Sequence, residues 1–221
     1  MSISQSKKVL IIKSSPSAEL SLSNEIADFL IEQLKDQQVE IQFTIRDLSE
    51  NPPPQLDANT IAAFYTPQEQ LTADQILLLK PSLQYISELK DADIIVLASP
   101  MHNFSVSGLM KSYIDQICRI GLTFQYTEAG AQGLLTDKQA VIISSAGMDF
   151  QQDFTKSMDF QTPYLKHILQ FIGLNDIHVI PVQGGAMSDE VSKEAKVSAQ
   201  KSAIKFSLSL SQTSMSDLKA L

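Results

Sequence analysis

Apolar residues along this chain fall into two alternating kinds of run. Val9 to Ile12 is a short continuous apolar stretch, as a strand covered on both faces requires. Ile26, Phe29, Leu30 and Leu34 then recur at helical spacing. Val39, Ile41, Phe43 and Ile45 alternate, which predicts a strand with one covered face, at a sheet edge. Ile94 to Ala98 is again continuous, and Leu109, Tyr113, Ile114 and Ile117 return to helical spacing. Ala140 to Ile143 and Ile177 to Ile180 complete five strand candidates, with helices expected over 162–171 and 190–208. Strand and helix in repeated alternation predict a mostly parallel sheet with helices on both faces.

Five such strands fit an α/β doubly wound sheet in the flavodoxin-like order 2-1-3-4-5. Two features interrupt the alternation. Asn51-Pro52-Pro53-Pro54 opens a stretch without periodicity, a long excursion at about 50–70 of the kind that is usually functional or flexible. Pro81 lies inside a helical pattern between Ala73 and Leu89, where it predicts a kink or the start of a second helix. Phe124-Gln125-Tyr126 followed by Gly130 and Gly133 predicts a small hairpin at about 122–136. The 221 residues, 43% of them hydrophobic, are expected to form one domain over 1–221.

The formal net charge of -8 disfavours nucleic acid and anionic membrane surfaces as partners. No segment approaches the ~20 apolar residues of a membrane helix. Cys118 is the only cysteine, so there is no internal disulfide or zinc cluster, and a reducing cytoplasm is the expected setting.

In this architecture ligands bind beyond the carboxyl ends of the strands, where the strand order reverses. Three loops fall there. The first, Ser14 to Asn24, places Ser15, Ser21, Leu22, Ser23 and Asn24 at a helix start. Hydroxyls and free N–H groups there suit an anion, and the absence of a glycine-rich fingerprint favours a monophosphate. A plain helix cap explains the same residues, and Glu19 sits uneasily beside a phosphate; the loop alone leaves both readings open. The second loop runs Pro100-Met101-His102-Asn103-Phe104 to Gly108, offering polar edges and apolar contact for a planar ring, or an ordinary turn capped by Ser105 or Ser107. The third, Ser144-Ser145-Ala146-Gly147-Met148, allows close backbone approach at Gly147.

Taken together, Lys13-Ser14-Ser15, Ser21-Leu22-Ser23-Asn24, Arg46-Asp47-Leu48, Pro100-Met101-His102-Asn103-Phe104 and Phe124-Gln125-Tyr126-Thr127-Glu128 closely resemble the FMN-dependent NADH:quinone/azo oxidoreductase family, in the same order from about Lys8 to Leu174. The resemblance implies a tightly bound FMN. Its phosphate would lie on Ser15, Ser21, Leu22 and Ser23, and its ring and ribityl chain on Pro100, Met101, His102, Asn103 and Phe104. Ser145, Ala146, Gly147 and Met148 would close over the ring, and Phe124 and Tyr126 would line the substrate pocket. It also implies a homodimer with sites at the subunit boundary, to which Phe64 and Tyr65 of the excursion would contribute as exposed aromatics. The implied chemistry is ping-pong: a hydride passes from NADH or NADPH to the flavin, then two electrons pass to a quinone or azo compound in the same place. Two departures are visible. The family often has Tyr where His102 stands and Arg-Gly-Gly where Ala146-Gly147-Met148 stands.

No side-chain nucleophile is required and no convincing one is present. Cys118, beside Arg119, reads as a buried free thiol, because a phosphatase loop needs its arginine further downstream. His167 in a helix and His178 in a strand lack companions at metal-ligand spacing. The competing readings are a flavodoxin-type one-electron carrier, which the acidic charge would suit, and a cofactor-free interaction module on the same fold.

Overall fold

A computed structural model describes residues 6–17, 20–36 and 40–219, with side chains through Leu210; Glu19 and Val39 lie outside the described residues. In chain order the elements are β1 (Lys7–Lys13), α1 (Leu22–Lys35), β2 (Ile41–Asp47), α2 (Ala58–Tyr65), α3 (Ala73–Asp91), β3 (Ile94–His102), β4 (Ser105–Val106), α4 (Gly108–Ile117), β5 (Phe124–Thr127), β6 (Gly130–Gly133), β7 (Gln139–Ser145), α5 (Thr162–Phe171), β8 (Asp176–Val182) and α6 (Asp189–Lys219). The five long strands pair in parallel in the order β2-β1-β3-β7-β8, which is the flavodoxin-like order expected from the apolar pattern.

The alternation of side chains along each strand divides the core into two layers. Leu10 and Ile12 of β1, Ile95 and Leu97 of β3, and Ala140 and Ile142 of β7 face α3, α4 and α5, where they meet Tyr85, Ile86, Tyr113, Ile114 and Leu169. Val9, Ile11, Val96, Val141 and Ile143 face α1 and α6, against Ile26, Leu30, Ala199 and Phe206. This is why the central strands read as unbroken apolar runs: every residue has a helix on its side of the sheet. β2 alternates because it lies at the edge.

In the fold outside the candidate site, the structure differs from the sequence reading in four places. The excursion contains a helix, α2, capped by Asp57, whose carboxylate accepts from Thr60 N–H (2.7 Å). Only Thr60 and Ala63 of α2 are buried, too few to give a readable period. Pro81 does not divide its helix; α3 runs unbroken across it. The carbonyl that proline leaves unpaired belongs to exposed Leu77, where water can serve it. Phe64 is not an exposed aromatic but covers the Arg119 guanidinium at 3.7 Å, while Tyr65 is exposed. Arg119 in turn donates to Ser82 Oγ of α3 (2.9 Å), and Gln116 of α4 donates to Pro54 C=O (2.9 Å), so Gln116 and Arg119, in and just past the end of α4, hold the excursion at two points. Burial lowers the Arg119 guanidinium to about 10.

Cys118 is the fourth. It ends α4 as its C-cap and is half-buried rather than enclosed. Burial pushes its thiol up to about 11. Against an ordinary value of 9.0, the thiolate is about a hundredfold scarcer at neutral pH. Labelling by a thiolate-selective reagent is therefore expected to be about a hundredfold slower in the native protein than in urea. Equal rates would show that the thiol is not shielded.

The hairpin β5–β6 is pinned by a glycine contact. A Cβ built on Gly133 would lie 2.1 Å from the Gly173 nitrogen and 2.3 Å from the Ile172 carbonyl carbon. Gly173, at φ +114°, completes the contact from the end of α5.

Candidate functional site

The chain leaves β1 at Lys13, and Ser14 turns across the sheet end by donating both its N–H and its hydroxyl to Ala98 C=O (3.0 Å each). Ser15 Oγ accepts from Ser17 N–H (3.3 Å). Ser21 then caps α1 in an extended conformation, its Oγ accepting from Asn24 N–H (3.3 Å). Ser21 and Ser23 are buried, with hydroxyls 3.1 Å apart. The first backbone bond of α1 runs from Glu25 N–H to Ser21 C=O, so the N–H groups of Leu22 and Ser23 have no acceptor within the helix. Lys13 is committed to Asp28 (2.6 Å). The donors at this corner are thus hydroxyls and helix-start amides, a set that fits an anionic group without a lysine.

The second loop holds a short hairpin ahead of the helix that Ser107 caps. β3 continues to His102 and folds back on β4, pairing Met101 with Val106 and His102 with Ser105. Asn103 and Phe104 are the two-residue turn, at φ 47° and 69°. Positive φ at both central residues is the geometry that matches hairpin twist. Asparagine tolerates it, but phenylalanine there is strained by about 1–3 kcal/mol. The turn holds His102, Asn103 and Phe104 exposed beyond the strand ends. Ser107, which caps α4, donates to Ser14 C=O (2.8 Å) and so ties the second loop to the first.

The third loop follows from the register of β3 on β7, which sets Ser144 opposite Ser99 and Ser145 opposite Pro100. Past the sheet, Ala146 N–H donates to Val182 C=O (3.0 Å), while Ala146 and Met148 carbonyls accept from Gly185 (2.9 Å) and Gly184 (3.0 Å). Gly147 lets the two turns close: a Cβ there would sit 3.1 Å from that of Ala186. Gly185 also abuts the first loop, since a Cβ on it would lie 2.5 Å from Leu22 Cδ1. The three loops therefore converge, braced by a fourth element that the sequence reading did not single out. Its signal was the pair Gly184-Gly185 one residue past an apolar strand.

A second unforeseen element is the segment 149–161. Phe150 N–H donates to the buried Gln183 side chain (3.2 Å), and the Phe150 ring meets Phe104 edge-on at 6.2 Å. Phe160 N–H donates to Phe104 C=O (3.0 Å), and Gln161 Nε2 donates to Ser99 C=O (2.8 Å). The segment is draped against the Asn103–Phe104 turn, with Met148, Phe154 and Phe160 exposed around it. The hairpin aromatics are placed differently. Phe124 is turned inward onto Phe171 (centroids 4.5 Å apart) and edge-on to Tyr126, so it packs rather than lines an opening. Tyr126 is exposed on the hairpin.

With this geometry established, similarity to known proteins can be placed on it. Residues 7–205 match the family described as flavodoxin-like fold. An FMN-dependent NADH:quinone oxidoreductase of Hydrogenovibrio crunogenus (strain DSM 25203 / XCL-2) is 40% identical over 197 residues, covering 87% of this chain and 97% of that protein. The protein of the same name from Escherichia coli O6:K15:H31 is 40% identical over 193 residues, covering 87% and 94%. The chain belongs to this family. Among solved structures, an FMN-dependent NADH-azoreductase from Bacillus anthracis str. Ames Ancestor, in complex with FMN, superposes with a TM-score of 0.81 at 25% identity, covering 91% of this chain and 99% of that one. An azoreductase from Bacillus anthracis str. Sterne gives a TM-score of 0.84 at 20% identity, covering 91% and 98%, and shares the fold. The family's fold thus extends over the whole arrangement of loops described above. Among the described residues no helix is long and apolar enough to cross a membrane.

Proposed function

We propose that this chain, as one flavodoxin-like domain, is an FMN-dependent NADH:quinone oxidoreductase that also reduces azo compounds. The observation that carries the reading is the bond from Ser107 Oγ to Ser14 C=O. It fixes the hydroxyl-lined start of α1 beside the exposed Asn103–Phe104 turn, so a phosphate and a planar ring can be held by one rigid corner. The donor set fits FMN. Ser15, Ser21, Ser23 and the amides of Leu22 and Ser23 would hold the phosphate. Pro100, Met101, His102, Asn103 and Phe104 would hold the ribityl chain and one side of the ring, and Ser145, Ala146, Gly147 and Met148 would border its other edge.

When bound, FMN supplies two-electron exchange between a nicotinamide and an acceptor. The chain's own work is to bind, to orient and to exclude water. Backbone amides and Asn103 would offer donors to the ring's heteroatoms, and the exposed Phe104, Met148 and Phe160 would supply apolar surface for donor and acceptor. Because both would use the same surface, their occupancy alternates and ping-pong kinetics follow. Tyr65 and Tyr126 are exposed and suit a homodimer in which they face the partner's site; a cytoplasmic setting is part of the same proposal.

The purified protein is expected to be yellow, to oxidise NADH with a benzoquinone as acceptor, and to give parallel initial-rate lines. A colourless protein that takes up no added FMN, or flavin-loaded protein that leaves NADH untouched, would overturn the proposal.

A further inference from the structure

The apolar stripe on the α5 side of the sheet ends in polar residues. Side chains two apart on a strand share a face, so Ser99 continues Ile95 and Leu97 of β3, and Ser144 continues Ala140 and Ile142 of β7. The register sets these two serines side by side, and both are buried. Gln161, at the entry of α5, is 0% exposed, and its Nε2 donates to Ser99 C=O (2.8 Å) and to Ser99 Oγ (3.1 Å). Ser144 Oγ and Gln161 Oε1 are buried with no hydrogen-bond partner among the described residues. An unpaired buried oxygen costs stability, and an apolar side chain at 161 would avoid leaving one there. Packing alone therefore does not explain a glutamine at this place.

The bonds of Gln161 close a circuit through the site. From Ser99 the chain runs on to the Asn103–Phe104 turn, Phe104 C=O accepts from Phe160 N–H (3.0 Å), and Gln161, the next residue, returns to Ser99. Phe160 is 62% exposed, so its ring does little to anchor that backbone. Asp159 Oδ1 accepts from Gln161 and Thr162 N–H (2.9 Å each), which joins the same backbone to the start of α5. From outside the hairpin the turn is also met by the Phe150 ring, edge-on at 6.2 Å. Phe104 stands at φ 69°, and a backbone angle of that kind persists only where its surroundings over-determine it. The Gln161 bonds fasten the N–H that meets this strained residue.

We propose, building on the function above, that Gln161 is a positioning residue of the reaction. By fastening the 159–161 backbone to Ser99 it holds the Phe104 ring where donor and acceptor lie. Being fully buried, it touches neither of them, and its effect reaches them through Phe104. The serine corner at the start of α1, which would hold the phosphate, is built by other bonds.

The test uses flavin-loaded protein and Gln161→Met, an unbranched apolar side chain without the donor. Hydrogen exchange at the Phe160 amide, read by NMR, is expected to be about tenfold faster than in the parent. The Kd for FMN should stay within about threefold of the parent's. With NADH and a benzoquinone, kcat/KM should fall by about tenfold or more, because a displaced Phe104 misplaces the substrates. In a Phe104→Gly background there is no ring to position, so Gln161→Met should lower kcat/KM further by less than about twofold. Ser99→Ala removes only the 3.1 Å bond and should move exchange and turnover the same way by smaller factors, which carries the test if Gln161→Met does not fold. Unchanged exchange at Phe160, unchanged turnover, or losses that simply multiply in the double variant would overturn the positioning role. A parent protein that binds FMN yet leaves NADH untouched would instead overturn the functional reading, while exchange at Phe160 would still report the tie.

Discussion

Ser21→Ala/Ser23→Ala is expected to emerge from purification with little or no flavin. Each hydroxyl offered to a phosphate is a hydrogen bond to a charged group, worth about 1.5–3 kcal/mol. Loss of both should weaken FMN binding by about a hundredfold or more. The fold should survive. Ser21 is the N-cap of α1, and removing a serine cap costs about 1 kcal/mol. Ser23 is buried beside it, but its hydroxyl meets Ser21 rather than the core. Fluorescence titration with FMN, alongside a thermal melt, separates the two effects. If affinity were unchanged while the melt fell slightly, the serines would be only a helix cap, and the phosphate would have to bind elsewhere.

Gly133→Ala is expected to have the largest effect on stability of the glycine-to-alanine changes in this chain. The atoms that methyl would strike are backbone, at 2.1 Å and 2.3 Å, on Gly173 and Ile172. Neither can swing aside as the end of a flexible side chain could. The hairpin would have to lift from the end of α5, breaking the bond from Leu135 N–H to Ile172 C=O (2.9 Å) and uncovering Phe124 from Phe171. Overpacking of this kind costs about 3 kcal/mol or more. Chemical denaturation of both proteins measures it. Gly108→Ala, where a Cβ meets nothing within 4 Å, is the matched control and should differ little from the parent.

How much of this was legible in the sequence follows from where the information lies. The central strands were readable because Val9–Ile12, Ile94–Ala98 and Ala140–Ile143 are buried on both faces, so burial and sequence run in step. α1 and α4 were readable because each has one buried face. α2 was not, since two buried residues make no period. Of the two outcomes that Pro81 allowed, a second helix does not form, because the carbonyl left unpaired lies at exposed Leu77, where water can serve it. In the site, the serine loop could be seen because a helix start needs one oxygen and this one carries several. The Asn103–Phe104 turn could not, because its signature is a backbone angle, and phenylalanine is among the residues least expected to adopt it. The role of Gly185 depends on Leu22, more than a hundred and fifty positions away in the chain, and no local pattern announces such a contact.

That turn also carries an implication for evolution in the laboratory. Phe104 sits at φ 69°, a conformation in which glycine would rest without cost. Selection for heat tolerance alone would reward its replacement, because the ring is exposed and meets Phe150 only edge-on. Selection for turnover would resist the same change, since the ring exposed at that tip is the surface on which a substrate would lie. The two pressures meet on one residue, and whether Phe104 persists in a drifting population reports which of them the protein is under.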